Sequence, residues 1–209
     1  MQKNSFWVYF LTGIALAGIL IAMIFFMRLR RPAIPSVGAG FERSKGPVEA
    51  PIQIIEYSDF QCPACRGAQS TLNEMMTLHP DQIRLTYQHF PLEGHRWSPL
   101  AHQAAECAAR QNRFWEYHDR LYSEQSQWSL AAQSPLEEFM RYARETGIDL
   151  DLFSRCLVDP SVNQKIREEK SSGSDLGVRS TPTFFVNGKM AVGTKPLQEE
   201  IERIRVGGR

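Results

Sequence analysis

Ile52-Gln53-Ile54-Ile55-Glu56-Tyr57-Ser58-Asp59-Phe60-Gln61-Cys62-Pro63-Ala64-Cys65 is the stretch on which the fold turns. Its first six residues are rich in β-branched side chains, which pack well on a pleated surface, and they read as a strand. From Pro63 to about residue 78 the apolar side chains recur at helical spacing. Proline suits the first turn of a helix, because the N–H it lacks there has no intrahelical partner anyway. Two cysteines three residues apart therefore sit where a helix begins. The unpaired amides of that turn point at the first sulfur and favour its ionised form. The thiolate is the attacking species in disulfide exchange, and such a site lowers a cysteine's pKa below its free value of about 8.5. Cys62 is thus the expected attacking sulfur. Cys65, one turn further in, is expected to be more buried and to resolve a mixed disulfide by attacking Cys62.

Downstream, residues 82–90 alternate Ile83, Leu85 and Tyr87 and read as a second strand. Strand, helix and strand in that order begin an α/β sheet. A long helical block follows: Ser98-Pro99 opens an Ala-rich helix, and further helices are expected over 114–124, 135–146, 149–157 and 162–176. Thr183-Phe184-Phe185-Val186 is a third strand, Asn187-Gly188 a strong hairpin signal, and residues 189–192 return. A last helix covers 196–204. The expected fold class is α/β: a central mixed sheet interrupted by a helical insert at about residues 97–177. An insert of roughly 80 residues is too long for a loop and must pack as a subdomain.

The chain has 209 residues and a net charge of +1, so no strongly basic face points to nucleic acid. Upstream, residues 6–27 carry no charge. As a helix they would span about 33 Å, enough for a hydrocarbon core of about 30 Å. A secretory signal's apolar region is shorter, about 7–15 residues. The expected organisation is a signal-anchor transmembrane segment over 1–31, a linker over 32–46 with Pro32, Pro35, Gly38, Gly40 and Gly46, and one domain over 47–209. Cleavage near Val37-Gly38-Ala39 is the alternative. Lys3 precedes the apolar run and Arg28, Arg30 and Arg31 follow it. These charges favour a cytoplasmic domain, whereas the thiol chemistry favours an extracytoplasmic one; a long domain can translocate despite its flanking charge.

A CxxC pair has competing readings. It can be half of a zinc site, but structural zinc takes four ligands, and neither a second CxxC nor an HxxxH is present; His95 and His102 are seven apart. It can also be a purely structural ring. Cys107 and Cys156, both in the helical block, are a possible structural disulfide, since four cysteines pair evenly in an oxidising compartment. Two separate buried thiols are the alternative. Phe60 and Trp97 are candidates to flank a substrate groove, Asp59 to cap the helix, and Arg66 to favour the Cys62 thiolate.

Residues 55–65 resemble the strand-to-active-site segment of DsbA-like thioredoxin-fold oxidoreductases. Ser180-Thr181-Pro182-Thr183-Phe184-Phe185-Val186-Asn187-Gly188 looks like their cis-proline loop. Ala104-Ala105-Glu106-Cys107-Ala108 and Phe114-Trp115-Glu116-Tyr117-His118 resemble their helical insert. The resemblance covers roughly residues 47–204 in the right order. It implies a cis Thr181–Pro182 bond packed against the Cys62 sulfur, where Thr181 would bind an extended peptide. It implies that Glu56 lies beneath the site and exchanges protons with Cys65. Pro63-Ala64 departs from the His-containing dipeptide of strongly oxidising members, so an intermediate redox potential is expected. No cofactor is implied. The implied partners are protein thiols and disulfides and a membrane redox protein that resets the pair, with the domain on the periplasmic side. Reductase or isomerase action, Cu(I) delivery through the two thiols, and non-catalytic peptide binding are the competing functions.

Overall fold

The structure, a computed structural model, describes Ile21, Met23 and residues 43–207. The chain divides into two units, Met1–Ser36 and Val37–Arg209. In the first, Ile21 and Met23 are helical and exposed; the membrane helix expected over 6–27 otherwise lies outside the described residues. Among those residues no helix is long and apolar enough to cross a membrane.

The second unit is built on a five-stranded mixed sheet in the order β1-β3-β2-β4-β5. Its strands are β1 (Ser44–Lys45), β2 (Ile52–Ser58), β3 (Ile83–His89), β4 (Thr183–Val186) and β5 (Lys189–Val192). Helix α1 (Pro63–Leu78) crosses between β2 and β3, which run parallel. Strand β4 lies antiparallel to β2, with Glu56 opposite Phe184 and Tyr57 opposite Thr183. The β4–β5 hairpin turns at Asn187 and Gly188, whose φ angles of 46° and 84° are those its tight turn requires. The Asn187 side chain accepts from Gln53 N–H at 2.8 Å and donates to the Pro51 carbonyl at 2.9 Å, which ties the turn to β2.

Six helices enter between β3 and β4: α2 (Ser98–Ala109), α3 (Phe114–Ser123), α4 (Gln125–Trp128), α5 (Leu136–Glu145), α6 (Leu150–Leu157) and α7 (Pro160–Asp175). Local chemistry sets their ends. Asp149 and Asp159 cap α6 and α7 by accepting N–H groups of Leu152 and Ser161, both at 2.9 Å. The chain closes with α8 (Thr194–Gly207).

Period-two alternation in β2 sends its side chains to two cores. Ile52 and Ile54 pack with Ala68 and Leu72 of α1 and Leu197 and Ile201 of α8. Tyr57 packs on the other side with Phe90, Val178 and Phe185. There α7 approaches so closely that a Cβ on Gly173 would come within 2.7 Å of the Tyr57 ring. The insert has a larger core of its own, into which Phe60, Tyr87 and Cys65 project from the sheet side.

The domain begins earlier than residue 47. Ser44 and Lys45, expected in the linker, form β1 against β3. Their polar side chains find partners that the sequence does not display. Ser44 Oγ bonds Thr86 Oγ1 at 2.9 Å, and the Lys45 ammonium sits 4.4 Å above the Trp115 ring. Before them, buried Arg43 pairs with Glu169 of α7, and its Nη1 also lies 3.5 Å from Glu106 of α2. A lone buried arginine would be costly, so this segment is committed to the insert.

Cys107 of α2 and Cys156 of α6 form a disulfide that closes a separation of 49 residues. Replacing both by alanine is expected to lower the unfolding free energy by about 4 kcal/mol, the loop-closure entropy for that length. Urea melts of the two proteins measure it; a loss below about 1 kcal/mol would contradict the expectation.

Candidate active site

Cys62 is the N-cap of α1, with extended φ and ψ of −75° and 121°, and Pro63 opens the first turn. The Cys62 N–H bonds the Asp59 carbonyl at 3.0 Å, and its own carbonyl accepts from Arg66 N–H at 3.2 Å. The sulfur thus faces the open amides of the helix. Cys62 keeps 7% of its surface and Cys65 none. Both are free thiols.

The Thr181–Pro182 bond is cis. It brings the Thr181 carbonyl to 3.5 Å from Cys62 Sγ. The Pro182 carbonyl accepts from Gly193 N–H at 2.9 Å, which holds this loop to the end of β5. Residues 119 apart in sequence therefore meet at one sulfur.

The two thiols are pushed in opposite directions. The Cys65 thiol donates to the Cys62 sulfur, and the Thr181 side chain and the backbone N–H groups of Cys65 and Ala64 add to it; together they outweigh burial and hold the Cys62 thiol down to about 5. Burial, and then the neighbouring Cys62, push Cys65 well above the ordinary thiol range. One sulfur is a thiolate at neutral pH and the other keeps its proton. Arg66, on the same turn of α1, is exposed.

Glu56 is fully buried on β2. Burial raises its carboxyl to about 7, against smaller opposing effects of Ser58, Gln69 and Lys45. Gln69 of α1 donates to Oε1 at 2.9 Å, and Oε2 has no hydrogen-bond partner.

Asp59 does not cap α1. Its carboxylate is fully buried and accepts from Gln61 N–H, Leu92 N–H and Ser98 Oγ at 2.7–2.8 Å, with His95 Nδ1 at 2.8 Å. His102 Nε2 stands 3.8 Å away. Burial pushes this carboxyl up, but His102, Leu92 and Ser98 more than offset it and hold it below the usual carboxylate range. The His102 ring meets His89 at 2.7 Å between Nδ1 atoms, and burial keeps His89 down at about 4, hence neutral. Phe60 does not flank a groove either. It is fully buried and stacks on Tyr87 with centroids 5.1 Å apart. Trp97 stays partly exposed beside Gln61, whose Oε1 accepts the Trp97 backbone N–H at 2.7 Å. Among the described residues no group of three or more His, Cys, Asp or Glu side chains could hold a metal ion.

Sequence reasoning missed two supports of the site. Gln125 of α4 donates to the Phe60 and Cys62 carbonyls at 2.7 and 2.9 Å, clamping the turn before α1 to the insert. Ser58 Oγ bonds the Tyr122 hydroxyl at 2.9 Å just below Cys65. Gln125 and Tyr122 lie more than sixty residues from their partners, and no local pattern signals either contact.

A thioredoxin family model, Thioredoxin_4, matches residues 40–204. Among curated proteins the chain is similar to the Na(+)/H(+) antiporter NhaA 3 of Salinispora tropica: 36% identity over 146 residues, 69% of this chain and 21% of the antiporter. It is also similar to the Na(+)/H(+) antiporter NhaA 1 of Salinispora arenicola: 36% identity over 155 residues, 74% and 23%. The chain thus spans about a fifth of the length of the curated relatives it matches. Among solved structures it resembles a thioredoxin-like oxidoreductase from Silicibacter pomeroyi DSS-3 with a TM-score of 0.65 and 27% identity, over 78% of this chain and 91% of that one. Wolbachia pipientis alpha-DsbA1 shares the fold, with a TM-score of 0.69 and 22% identity over 83% of this chain and 92% of that one.

Stability should report the buried acid of the reduced protein. A carboxyl with a raised pKa costs the fold nothing below its unfolded value of 4.5; the cost grows as pH rises to about 7 and is constant above. Glu56→Gln is therefore expected to stabilise the protein at pH 8 by up to about 3 kcal/mol, with the gain vanishing near pH 4.5. Denaturant melts across this range measure it; a gain that is independent of pH would contradict a raised carboxyl.

Proposed function

The chain belongs to the thioredoxin family, and on that premise we propose that it exchanges disulfides with protein thiols through Cys62 and Cys65. Its fold is the DsbA-like thioredoxin fold of thiol–disulfide oxidoreductases, a mixed sheet with a helical insert. The observation that carries the proposal is the asymmetry of the pair. A partly accessible sulfur held as thiolate lies against a cis-proline loop, and a protonated, fully buried sulfur lies directly behind it.

In the oxidising direction a substrate thiolate attacks Cys62 Sγ of the Cys62–Cys65 disulfide. The S–S bond breaks, Cys65 leaves with the electron pair and takes up a proton, and a Cys62–substrate disulfide forms. A second substrate thiolate then attacks that bond; Cys62 leaves as a thiolate, and the substrate departs oxidised. A low pKa makes Cys62 a good leaving group, so reduction of the protein is favoured over that of its substrate. The backbone at Thr181 is the proposed docking edge for an extended substrate segment, paired by strand addition.

The proposed setting is the extracytoplasmic face of a membrane, with residues 6–27 as anchor and a membrane redox protein as recycling partner. The uncharged run supports the anchor, and the Cys107–Cys156 disulfide fits an oxidising compartment. The chain matches only about a fifth of each antiporter, and ion transport belongs to those whole proteins.

Trapping tests the proposal. Cys65→Ala is expected to accumulate disulfide-linked adducts with client proteins in cells, and Cys62→Ser to yield none. Absence of adducts from Cys65→Ala would overturn the exchange reading. Equilibration with glutathione is expected to place the pair's potential between about −270 mV and −120 mV, the values of thioredoxin and DsbA. A potential at or below the lower value would make the protein a reductase instead.

A further inference from the structure

Between the buried acid and the buried thiol lies a hydroxyl that the exchange chemistry above does not use. Ser58 follows Glu56 by two residues on β2, so both project from the same face of the strand, about 7 Å apart along it. Ser58 is fully buried. On its other side is α1, where Cys65 Sγ lies 3.5 Å from the backbone N–H of Asp59, the residue next to Ser58. The Ser58 hydroxyl faces both the Glu56 carboxyl and the Cys65 thiol and favours the charged form of each.

Hydrogen counting fixes what this hydroxyl can do. A serine has one hydrogen to donate and two lone pairs. Tyr122 Oη is 2.9 Å from Ser58 Oγ, and burial keeps the phenol protonated, so Tyr122 can be the donor of that bond. Ser58 then retains its own hydrogen and one lone pair. Glu56 Oε2, buried and without a hydrogen-bond partner, is an open acceptor on the same face of the strand. The lone pair can accept from the Cys65 S–H. The charged and titratable groups that face Glu56 are Lys45 of β1, Tyr87 of β3 and Tyr122 of α3. Burial keeps Tyr87 protonated, and its hydroxyl is directed to the Ser58 carbonyl at 3.3 Å.

We infer that Ser58 is a proton relay that connects Glu56 to Cys65. When Cys65 attacks a mixed disulfide on Cys62, its proton passes to Ser58 Oγ as the serine hydrogen passes to Glu56 Oε2. The Cys62–Cys65 bond forms, and the substrate sulfur leaves with the electron pair. When Cys65 leaves instead, both protons move the opposite way. Neither direction requires water beneath the site. The relay rests on the exchange function proposed above.

The test is the rate at which Cys65 resolves a preformed Cys62–glutathione disulfide, followed from pH 5 to 9. Ser58→Ala and Glu56→Gln are each expected to slow resolution at pH 7 at least tenfold and to remove the inflection due to Glu56 from the pH profile. The double variant should be no slower than either single one, and Ser58→Thr should restore the rate. Wild-type resolution with Ser58→Ala, or multiplying losses in the double variant, would overturn the relay while leaving disulfide exchange intact. If the unsubstituted protein does not resolve the adduct, the exchange function fails and the relay with it. A measurement that needs no variant guards against misfolding. Two protons in motion make the resolution rate of the unsubstituted protein fall quadratically with the deuterium fraction of the solvent; a linear fall contradicts the relay.

Discussion

A sulfur at the open end of a helix meets donors that no solvent-exposed cysteine meets together, and the rest of this molecule serves that contact. The amides of Ala64 and Cys65, the thiol of Cys65 and Thr181 all stabilise negative charge on Cys62. None of these is a charged group, so the bias comes from dipoles held in place rather than from a neighbouring cation. Dipoles act only while they are aimed. The clamp of Gln125 on the Phe60 and Cys62 carbonyls, and the bonds of Gln61 and Ser98 to Asp59, hold the turn from which α1 starts. The insert is therefore part of the site: α4 supplies the clamp, α3 supplies Tyr122, and α2 supplies Ser98 and His102.

Beneath the sulfur pair the environment changes from partly solvated to dry. Cys65 and Glu56 lie in that dry layer, and burial drives both toward the protonated state. A carboxyl held at about 7 can both take and give a proton near neutral pH. Farther out, Asp59 and Glu169 remain ionised because each gathers several donors, and Arg43 closes the second cluster. These charged clusters fasten the insert to the sheet.

Much of the fold is legible in the sequence, for local reasons. The β-branched run at Ile52, the Cys62-Pro63 helix start and the Asn187-Gly188 turn each encode their element through backbone preference, and the structure has those elements at those places. The site is legible where function compresses it into a short motif, as with Cys62 and Cys65. It is illegible where a polar residue's meaning depends on a distant partner. Asp59 reads as a helix cap because it precedes one, yet burial and donors from Leu92, His95 and Ser98 make it an internal anchor. Phe60 reads as groove lining because it neighbours the cysteines, yet its ring turns inward onto Tyr87. Ser44 and Lys45 read as linker because short polar edge strands carry no periodic signal; their partners Thr86 and Trp115 are visible only after folding.

The central claim is that Cys62 is ionised at neutral pH, and its most direct test is a titration of the reduced protein. Thiolate absorbance, or the rate of alkylation of Cys62 by iodoacetamide, should follow a single ionisation with a midpoint near 5. A midpoint near that of a free thiol, about 8.5, would mean that the helix start and the cis-proline loop do not act on this sulfur, and would contradict the account.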